Sequence, residues 1–260
     1  PRARQVLRQL AAQHLASWWR VVHLGAVLLV LALSPSSYAR AQRGVLARHV
    51  YLDTAPILPA FAIVIALISL VLIRIVVVTA LSYGLSQYAL EMVVRVLVLE
   101  LIPLTAALYA ALRCTVPNGA EVAALRAAGV FEAQRERGID PLRQEVLPRV
   151  ASGVFAVLTL AAVSCILALV IAYLLVYGFT PWAFGGYTRT VGQVFDPSVS
   201  LIFALKTFFF ALAVALIPMA AALEGAAGAR SRTSHELRGL MRMALVILLI
   251  EAASLVGNYH

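Results

Sequence analysis

The sequence that decides the fold is residues 55–85, APILPAFAIVIALISLVLIRIVVVTALSYGL, in which Arg74 is the single charged side chain. A helix needs about 20 apolar residues to cross the hydrocarbon core of a membrane, and this run is longer. The rest of the chain agrees, because 62% of its residues are hydrophobic, 13% are charged and its mean hydropathy is +0.92. We therefore predict an all-α integral membrane protein, since a helix satisfies its own backbone groups in lipid.

Four further apolar runs have the length and composition of membrane spans. They lie at residues 93–112, 150–176, 201–223 and 243–257. The last run is short unless its helix begins near Leu237. The sequence therefore predicts about five transmembrane helices in a domain of residues 54–260, with the ends of the spanning part on opposite sides of the membrane.

The distribution of arginine predicts the orientation. If the segment before the first span is cytoplasmic, 17 of the 20 arginines lie on the cytoplasmic side and Arg189 is the only clear one outside. Positive residues favour the cytoplasmic side, so we expect a multi-pass protein of the bacterial inner membrane with a periplasmic C-terminus. The net charge of +9 is scattered between apolar runs and forms no basic face, which argues against nucleic acid.

The N-terminal segment, residues 1–53, is predicted to lie at the membrane surface. Its apolar stretch at residues 23–33 is too short to span, and before it apolar side chains recur at helical spacing up to Trp18. We expect an amphipathic interfacial helix that leads into an elbow. The alternative is a signal peptide, with residues 24–33 as its apolar region and Ala39-Arg40-Ala41 as its cleavage site.

Glu100, Lys206 and Glu251 are charged residues inside three different apolar runs, and Lys206 is the only lysine of the chain. A charge within a span is costly, so such residues are candidates for a functional site. In the predicted orientation all three lie about 8 to 11 Å from the outer end of their helices. Arg74 lies somewhat deeper, and Arg95 lies near the outer boundary.

Two interpretations of this charged layer remain open. The side chains could be structural, either as ion pairs between helices or as long side chains that reach the headgroups, and this structural interpretation best explains Arg95. Alternatively, Glu100, Lys206 and Glu251 could line a polar cavity that accepts a lipid headgroup, because carboxylates are too short to reach far and three helices contribute at one depth.

The longest inner loop, residues 120–149, is predicted to form a helix, a turn and a helix. Residues 127–137 read as a short polar helix that ends at Gly138, and Asp140 can cap a new helix with Pro141 at its first position. Its mixed charges are most often a solvated face, but they could also dock a soluble partner. The outer segment, residues 177–200, is rich in aromatic residues and could form a short helix or an interfacial belt.

The order of residues in the second span and the inner loop resembles a known family. The residues that carry the resemblance are Glu100-Leu101-Ile102-Pro103, Arg113, Ala120-Glu121, Gly138-Ile139-Asp140-Pro141 and Leu147-Pro148-Arg149. They are similar to the MlaE/YrbE family, the permease subunits of ABC transporters that work with MCE proteins on lipids. Lys206 before three phenylalanines and an acid at Glu251 extend the match, which covers the chain from about Leu24 onward.

This resemblance implies a homodimer that holds phospholipid between its subunits near the outer leaflet. A cytoplasmic ABC ATPase would grip the inner loop around Glu132, Arg135, Glu136 and Asp140, and a periplasmic MCE protein would contact the outer segment, where Trp182 and Tyr187 lie. The charged positions that line the family's lipid path correspond to Glu100, Lys206 and Glu251. ATP and Mg²⁺ would belong to the ATPase, and no cofactor is expected in this chain.

The chain departs from the family pattern in places. Leu99 stands where an arginine usually precedes the glutamate, Gly129 replaces an acidic residue, and Arg74 occupies a position expected to be small. One hypothesis is that Arg74 supplies the charge missing at Leu99 and pairs with Glu100. We therefore add Arg74 to the candidate lipid-path residues.

Three function classes remain: a lipid transporter subunit, a membrane enzyme that acts on lipid headgroups, and a structural or ion-conducting helical bundle. The sequence has no phosphate-binding Gly-x-x-x-x-Gly-Lys motif, no Gly-x-Ser-x-Gly motif and no metal-binding histidine pattern. Cys114 and Cys165 fit buried thiols. We therefore favour a non-catalytic permease subunit whose energy comes from a separate ATPase.

Overall fold

A computed structural model describes residues 2–34, 40–85, 88–224 and 229–258, and this part of the chain is helical with no β-strand. Side chains are described from residue 18 onward, except at 35–42, 86–87, 225–236 and 259–260. The first half contains α1 (Arg2–Leu33), α2 (Arg40–Thr54), α3 (Leu58–Ser82), α4 (Ala89–Val93), α5 (Ile102–Ala110), α6 (Val116–Ala127) and α7 (Val130–Glu136). The second half contains α8 (Leu147–Tyr177), α9 (Phe184–Val194), α10 (Pro197–Glu224) and α11 (Ala229–Asn258).

Five helical stretches are long and apolar enough to cross a membrane. They are Arg43–Ser82, Ala89–Ala127, Leu142–Tyr177, Pro197–Glu224 and Leu237–Asn258. This confirms the predicted all-helical membrane fold and its five spans. The last span lies within α11, which begins before Leu237, so its helix is long enough to cross the membrane. The second span is much longer than the apolar run at 93–112 because its helix continues beyond the apolar residues.

Three segments wind as π-helix, here π1 (Val94–Leu101), π2 (Ala111–Thr115) and π3 (Leu142–Val146). Each ends two residues before a proline, at Pro103, Pro117 and Pro148. A proline has no amide hydrogen, and its ring displaces the carbonyl four residues earlier, which a wider turn accommodates. These prolines therefore leave backbone oxygens of the preceding turn without their usual donors.

The spans approach each other closely where residues are small. A Cβ atom at Gly119 in α6 would lie 3.2 Å from the Pro218 oxygen in α10, and one at Gly239 in α11 would lie 2.8 Å from the Ala221 Cβ. Small residues let helices pack closely in a membrane, where lipid offers no hydrophobic driving force. These contacts hold α6, α10 and α11 together.

The N-terminal part contains the short apolar helix that the sequence predicts. The helix α1 runs from Arg2 to Leu33 without a break, because its polar first half contains no residue that would end a helix. Its apolar part, Trp18–Leu33, is too short to span, as predicted, and it packs on α10, where a Cβ at Gly25 would lie 3.2 Å from the Leu216 Cδ1. The alternative cleavage site includes residue 39, which lies outside the described residues.

Candidate functional site: a buried charge cluster shared by three spans

Lys206 lies at the centre of a cluster of charges, and its side chain is only 1% exposed. Its ammonium donates a hydrogen bond to the Glu100 carboxylate, lies 2.9 Å from Glu251 Oε2, and donates to the Leu99 carbonyl oxygen at 3.2 Å. Lys206 therefore makes two hydrogen bonds, to Glu100 and to the Leu99 oxygen, and a further ion pair with Glu251. We call Lys206, Glu100 and Glu251 the lysine cluster.

The Leu99 oxygen is available to Lys206 for a reason that is visible in the sequence. In a regular helix this oxygen would accept from the amide four residues later, but that residue is Pro103, which has no amide hydrogen. The surrounding turn is π1, which also carries Glu100. The sequence Glu100-Leu101-Ile102-Pro103 therefore places a carboxylate beside a carbonyl oxygen that lacks its usual α-helical donor.

The lysine cluster joins the second, fourth and fifth spans. Glu100 is in π1, Lys206 is in α10 and Glu251 is in α11, where Asn258 also donates to Glu100 Oε1 at 3.3 Å. The expectation that separate spans bring these charges to one layer is confirmed. The structure contains the direct ion pairs of the structural interpretation, and the carboxylates of Glu100 and Glu251 remain 12% and 15% exposed.

Arg74 does not take the place that the hypothesis gave it. Its side chain is exposed on α3, and among the described residues it has no ion pair or hydrogen bond, whereas Lys206 is the cation that pairs with Glu100. The prediction that Arg74 pairs with Glu100 of the same chain is therefore wrong. The Leu99 oxygen and the Glu100 carboxylate both contact Lys206 of α10 instead. Arg95 forms a local ion pair with Glu91 at 3.0 Å, which agrees with its structural interpretation.

The inner loop has the predicted helix, turn and helix. Gly129 immediately precedes α7 at a φ of 75°, and Gly138 follows α7 at a φ of 71°. The amide of Leu142 donates a hydrogen bond to Asp140 Oδ1 at 3.0 Å. Only glycine adopts such positive φ values without strain, which explains Gly129 at this position. The loop residues proposed for coupling are all exposed, and they are Glu132, Arg135, Glu136 and Asp140.

A second buried cation lies at the base of this loop, and sequence reasoning missed its role. Arg149 is 9% exposed, and its guanidinium lies 2.8 Å from Glu145 and 3.5 Å from Glu121. We call these three residues the arginine cluster. Gln134 of α7 donates to Glu145 at 3.0 Å, so the cluster fixes α7 to the start of α8. The four-residue spacing of Glu145 and Arg149 is a signal that could have found it.

A third polar group links α2 to the spans. Asp53 Oδ2 accepts hydrogen bonds from Asn118 Nδ2 at 2.9 Å and from the Ser152 hydroxyl. These residues are far apart in the chain and belong to α2, α6 and α8, so no local sequence pattern pointed to them. The group anchors α2, at the start of the first span, to the second and third spans.

The outer segment contains the predicted short helix, α9. Tyr187 packs edge-on against Tyr173 with ring centroids 5.1 Å apart, and its hydroxyl donates to the Leu169 oxygen at 2.8 Å. Burial, with the neighbouring Tyr177, raises the pKa of Tyr187 to about 12, so its hydroxyl stays protonated. Phe179 and Trp182 are 91% and 89% exposed beside this packed group.

The helical spans and the buried ion clusters define a multi-pass membrane protein whose charged residues are organised within the spans. The family model described as Permease MlaE matches residues 46–256 of the chain. The chain therefore belongs to the MlaE permease family, so it is an ABC transporter permease and a non-catalytic transmembrane subunit. No curated protein matches it.

Proposed function

We propose that this permease moves phospholipid between the bacterial inner membrane and a periplasmic MCE protein. It would act as a homodimer with a cytoplasmic ABC ATPase, which binds the ATP and Mg²⁺. The observation that supports this most directly is the lysine cluster, which places charges from three spans at one depth in a chain of the MlaE family.

The lipid path is proposed to pass the lysine cluster and Arg74. A phospholipid headgroup carries a phosphate and often a cationic group, so it interacts favourably with a layer that contains both signs. Lys206 itself is almost fully buried, and its contribution is to hold Glu100 and Glu251 at the edge of the bundle. Their exposed carboxylate edges are the part of the cluster that a headgroup can reach.

The ATPase is proposed to dock on α7 and the turn that follows it. Glu132, Arg135 and Glu136 are exposed on this helix, while Phe131 is only 4% exposed and fixes its other face. The bond from Gln134 to Glu145 passes a movement of α7 directly to the arginine cluster. A push on α7 would therefore reach α8.

The arginine distribution supports an orientation with the inner loop in the cytoplasm and the end of α11 toward the periplasm. In that orientation Phe179 and Trp182 project from the periplasmic side. We propose that these exposed aromatic side chains contact the MCE protein, because exposed aromatic residues are enriched at protein interfaces.

Purification of the full chain from its own membranes tests the proposal. A phospholipid permease should bring an ABC ATPase with it and contain phospholipid, detected by mass spectrometry. Arg135→Glu should reduce the recovered ATPase and leave the lipid, whereas the control Arg189→Glu, on the outer helix α9, should reduce neither. A chain that purifies without an ATPase and turns over a lipid substrate by itself would contradict the proposal and favour an enzyme.

A further inference from the structure

Arg74 is an unusual feature of the first span. It is exposed on α3 among apolar residues such as Val71, Ile75 and Val78, and in the described part of the chain nothing pairs with it. An arginine inside a span normally pairs or faces a polar site. In the described part of the chain Arg74 is therefore available to a partner from another molecule.

The side chain cannot easily reach the membrane surface. Arg74 lies eight residues before the end of α3 at Ser82 and sixteen residues after its start at Leu58. Side chains on a helix lean toward its N-terminus, so Arg74 leans away from the nearer end. The longer route, roughly 24 Å along the helix, exceeds the reach of an arginine.

The lysine cluster has the opposite deficit. It contains two carboxylates and one ammonium, so it has one negative charge in excess when both acids are ionised. Its acids are the groups that remain partly exposed, at 12% for Glu100 and 15% for Glu251. A second cation or a bound proton must balance this charge.

The unpaired cation and the excess anion lie at matching depths. Lys206 is nine residues after the start of α10 at Pro197, and Glu251 is seven residues before the end of α11 at Asn258. Together with the eight residues from Arg74 to Ser82, these spacings place all three about 10 to 14 Å from one side of the bundle. Two subunits related by a two-fold axis normal to the membrane keep these depths equal.

We propose that Arg74 of one protomer completes the lysine cluster of its partner, so that each cluster is neutral only in the dimer. The inference rests on the homodimer of the proposed function. In this arrangement Arg74 determines the specificity of self-association. A small residue at this position could not form the ion pair between the two protomers.

A double-mutant cycle in the full transporter complex tests the pairing. Arg74→Leu should lower the recovered dimer by about fivefold or more, because it leaves the partner's excess carboxylate unpaired. In a Glu251→Gln background, where the excess charge is already absent, the same change should have little further effect. Arg74→Lys, which keeps the charge, should retain most of the dimer.

Arg95→Leu is the matched control, because Arg95 pairs within its own chain with Glu91 and should show the same effect in both backgrounds. Additive effects of Arg74→Leu and Glu251→Gln in a chain that still forms lipid-loaded dimers would overturn the pairing and leave the proposed function intact. A dimer that stays intact but loses phospholipid on Arg74→Leu would also overturn the pairing, since Arg74 would then act on the lipid path without joining the two subunits. A wild-type chain that is monomeric would overturn both.

Discussion

The lysine cluster and the arginine cluster have the same composition, one buried cation between two carboxylates, but they are built in different ways. Lys206 and Glu100 are 106 residues apart, so only the packing of whole spans brings them together. Arg149 and Glu145 are four residues apart, so a single helical turn is sufficient. The comparison shows that similar charge clusters can arise either from the packing of distant spans or from the local geometry of one helix.

The two clusters also differ in their access to water. In the arginine cluster Glu121 is 63% exposed and Glu145 is 19% exposed, whereas the acids of the lysine cluster, Glu100 and Glu251, are only 12% and 15% exposed. An ion that loses its partner can be hydrated where its side chain is exposed to water but not where it is buried. The lysine cluster should therefore be the more sensitive to loss of its cation.

The largest expected effect is that of Lys206→Met. This change leaves two carboxylates inside the spans without a cation, and breaking a buried pair in this way costs about 3 to 5 kcal/mol. We expect a large loss of thermal stability and of folded protein in detergent. The control Arg149→Met should have a clearly smaller effect, because water can reach the carboxylate of Glu121. Equal losses in the two variants would contradict the importance of solvent access.

A second prediction tests whether the region around the arginine cluster is held by packing more than by charge. Gly153 lies one turn after Arg149, and a Cβ there would lie 2.7 Å from Thr115 Cγ2 and 3.4 Å from the Ala215 Cβ. Gly153→Ala should therefore force the helices apart, at a cost of about 1 to 3 kcal/mol in unfolding free energy. Thermal unfolding in detergent measures this.

Gly185→Ala is the control for that change, since a Cβ at Gly185 meets no atom within 4 Å. Its thermal unfolding should remain close to that of the unchanged chain. If Gly153→Ala were equally harmless, the close approach of α8 to π2 and α10 would contribute little to stability.

The spans and the depth of the charges could be predicted from the sequence, because hydrophobicity and helix length are local properties. The meeting of Glu100, Lys206 and Glu251 followed from depth and was confirmed. The partner of Glu100 could not be chosen between Arg74 and Lys206, because depth does not tell which face of a helix a residue occupies. The Leu99 oxygen, whose usual α-helical donor is replaced by Pro103, is the local signal that favours Lys206.

Other parts of the site had no such signal. The link of Asp53 to Asn118 and Ser152 joins residues 65 and 99 positions apart, and only the packed structure relates them. The helix α1 continues from its polar half into its apolar half without a break. No residue in its sequence ends the helix, and the close approach of Gly25 to α10 holds its apolar half against the bundle.

A third prediction separates the two acids of the arginine cluster. Glu145→Ala removes the closer ion pair with Arg149 and the bond from Gln134, and should cost about 1 to 2 kcal/mol. Because α7 would lose its link to α8, we expect ATP hydrolysis by the assembled transporter to continue while lipid movement falls. Reconstituted complexes allow both rates to be measured. Glu121→Ala, which removes a longer and more exposed pair, should leave the two rates coupled.

The smallest expected effect is at Asp196. Its carboxylate is fully exposed, so it can be compared with the buried carboxylates of the two clusters. It precedes α10, and its Oδ1 accepts from the Ser198 hydroxyl at 2.6 Å and from the Val199 amide at 2.8 Å. The bond from Ser198, followed by that from Val199, lowers the pKa of Asp196 below its usual 3.8. Capping by the charged form is thus complete above the usual pKa and is lost as the pH falls through the lowered value.

Hydrogen exchange at the Val199 amide measures this directly. Relative to neutral pH, its protection should weaken only when the pH falls below about 3.8, because the folded-state pKa is lower than the unfolded one. Asp196→Asn keeps a capping oxygen without a titratable charge, so its protection should show no such step, and Asp196→Ala should be unprotected at every pH. A step in the Asp196→Asn variant at the same pH would show that another group titrates there and that the cap does not depend on the carboxylate.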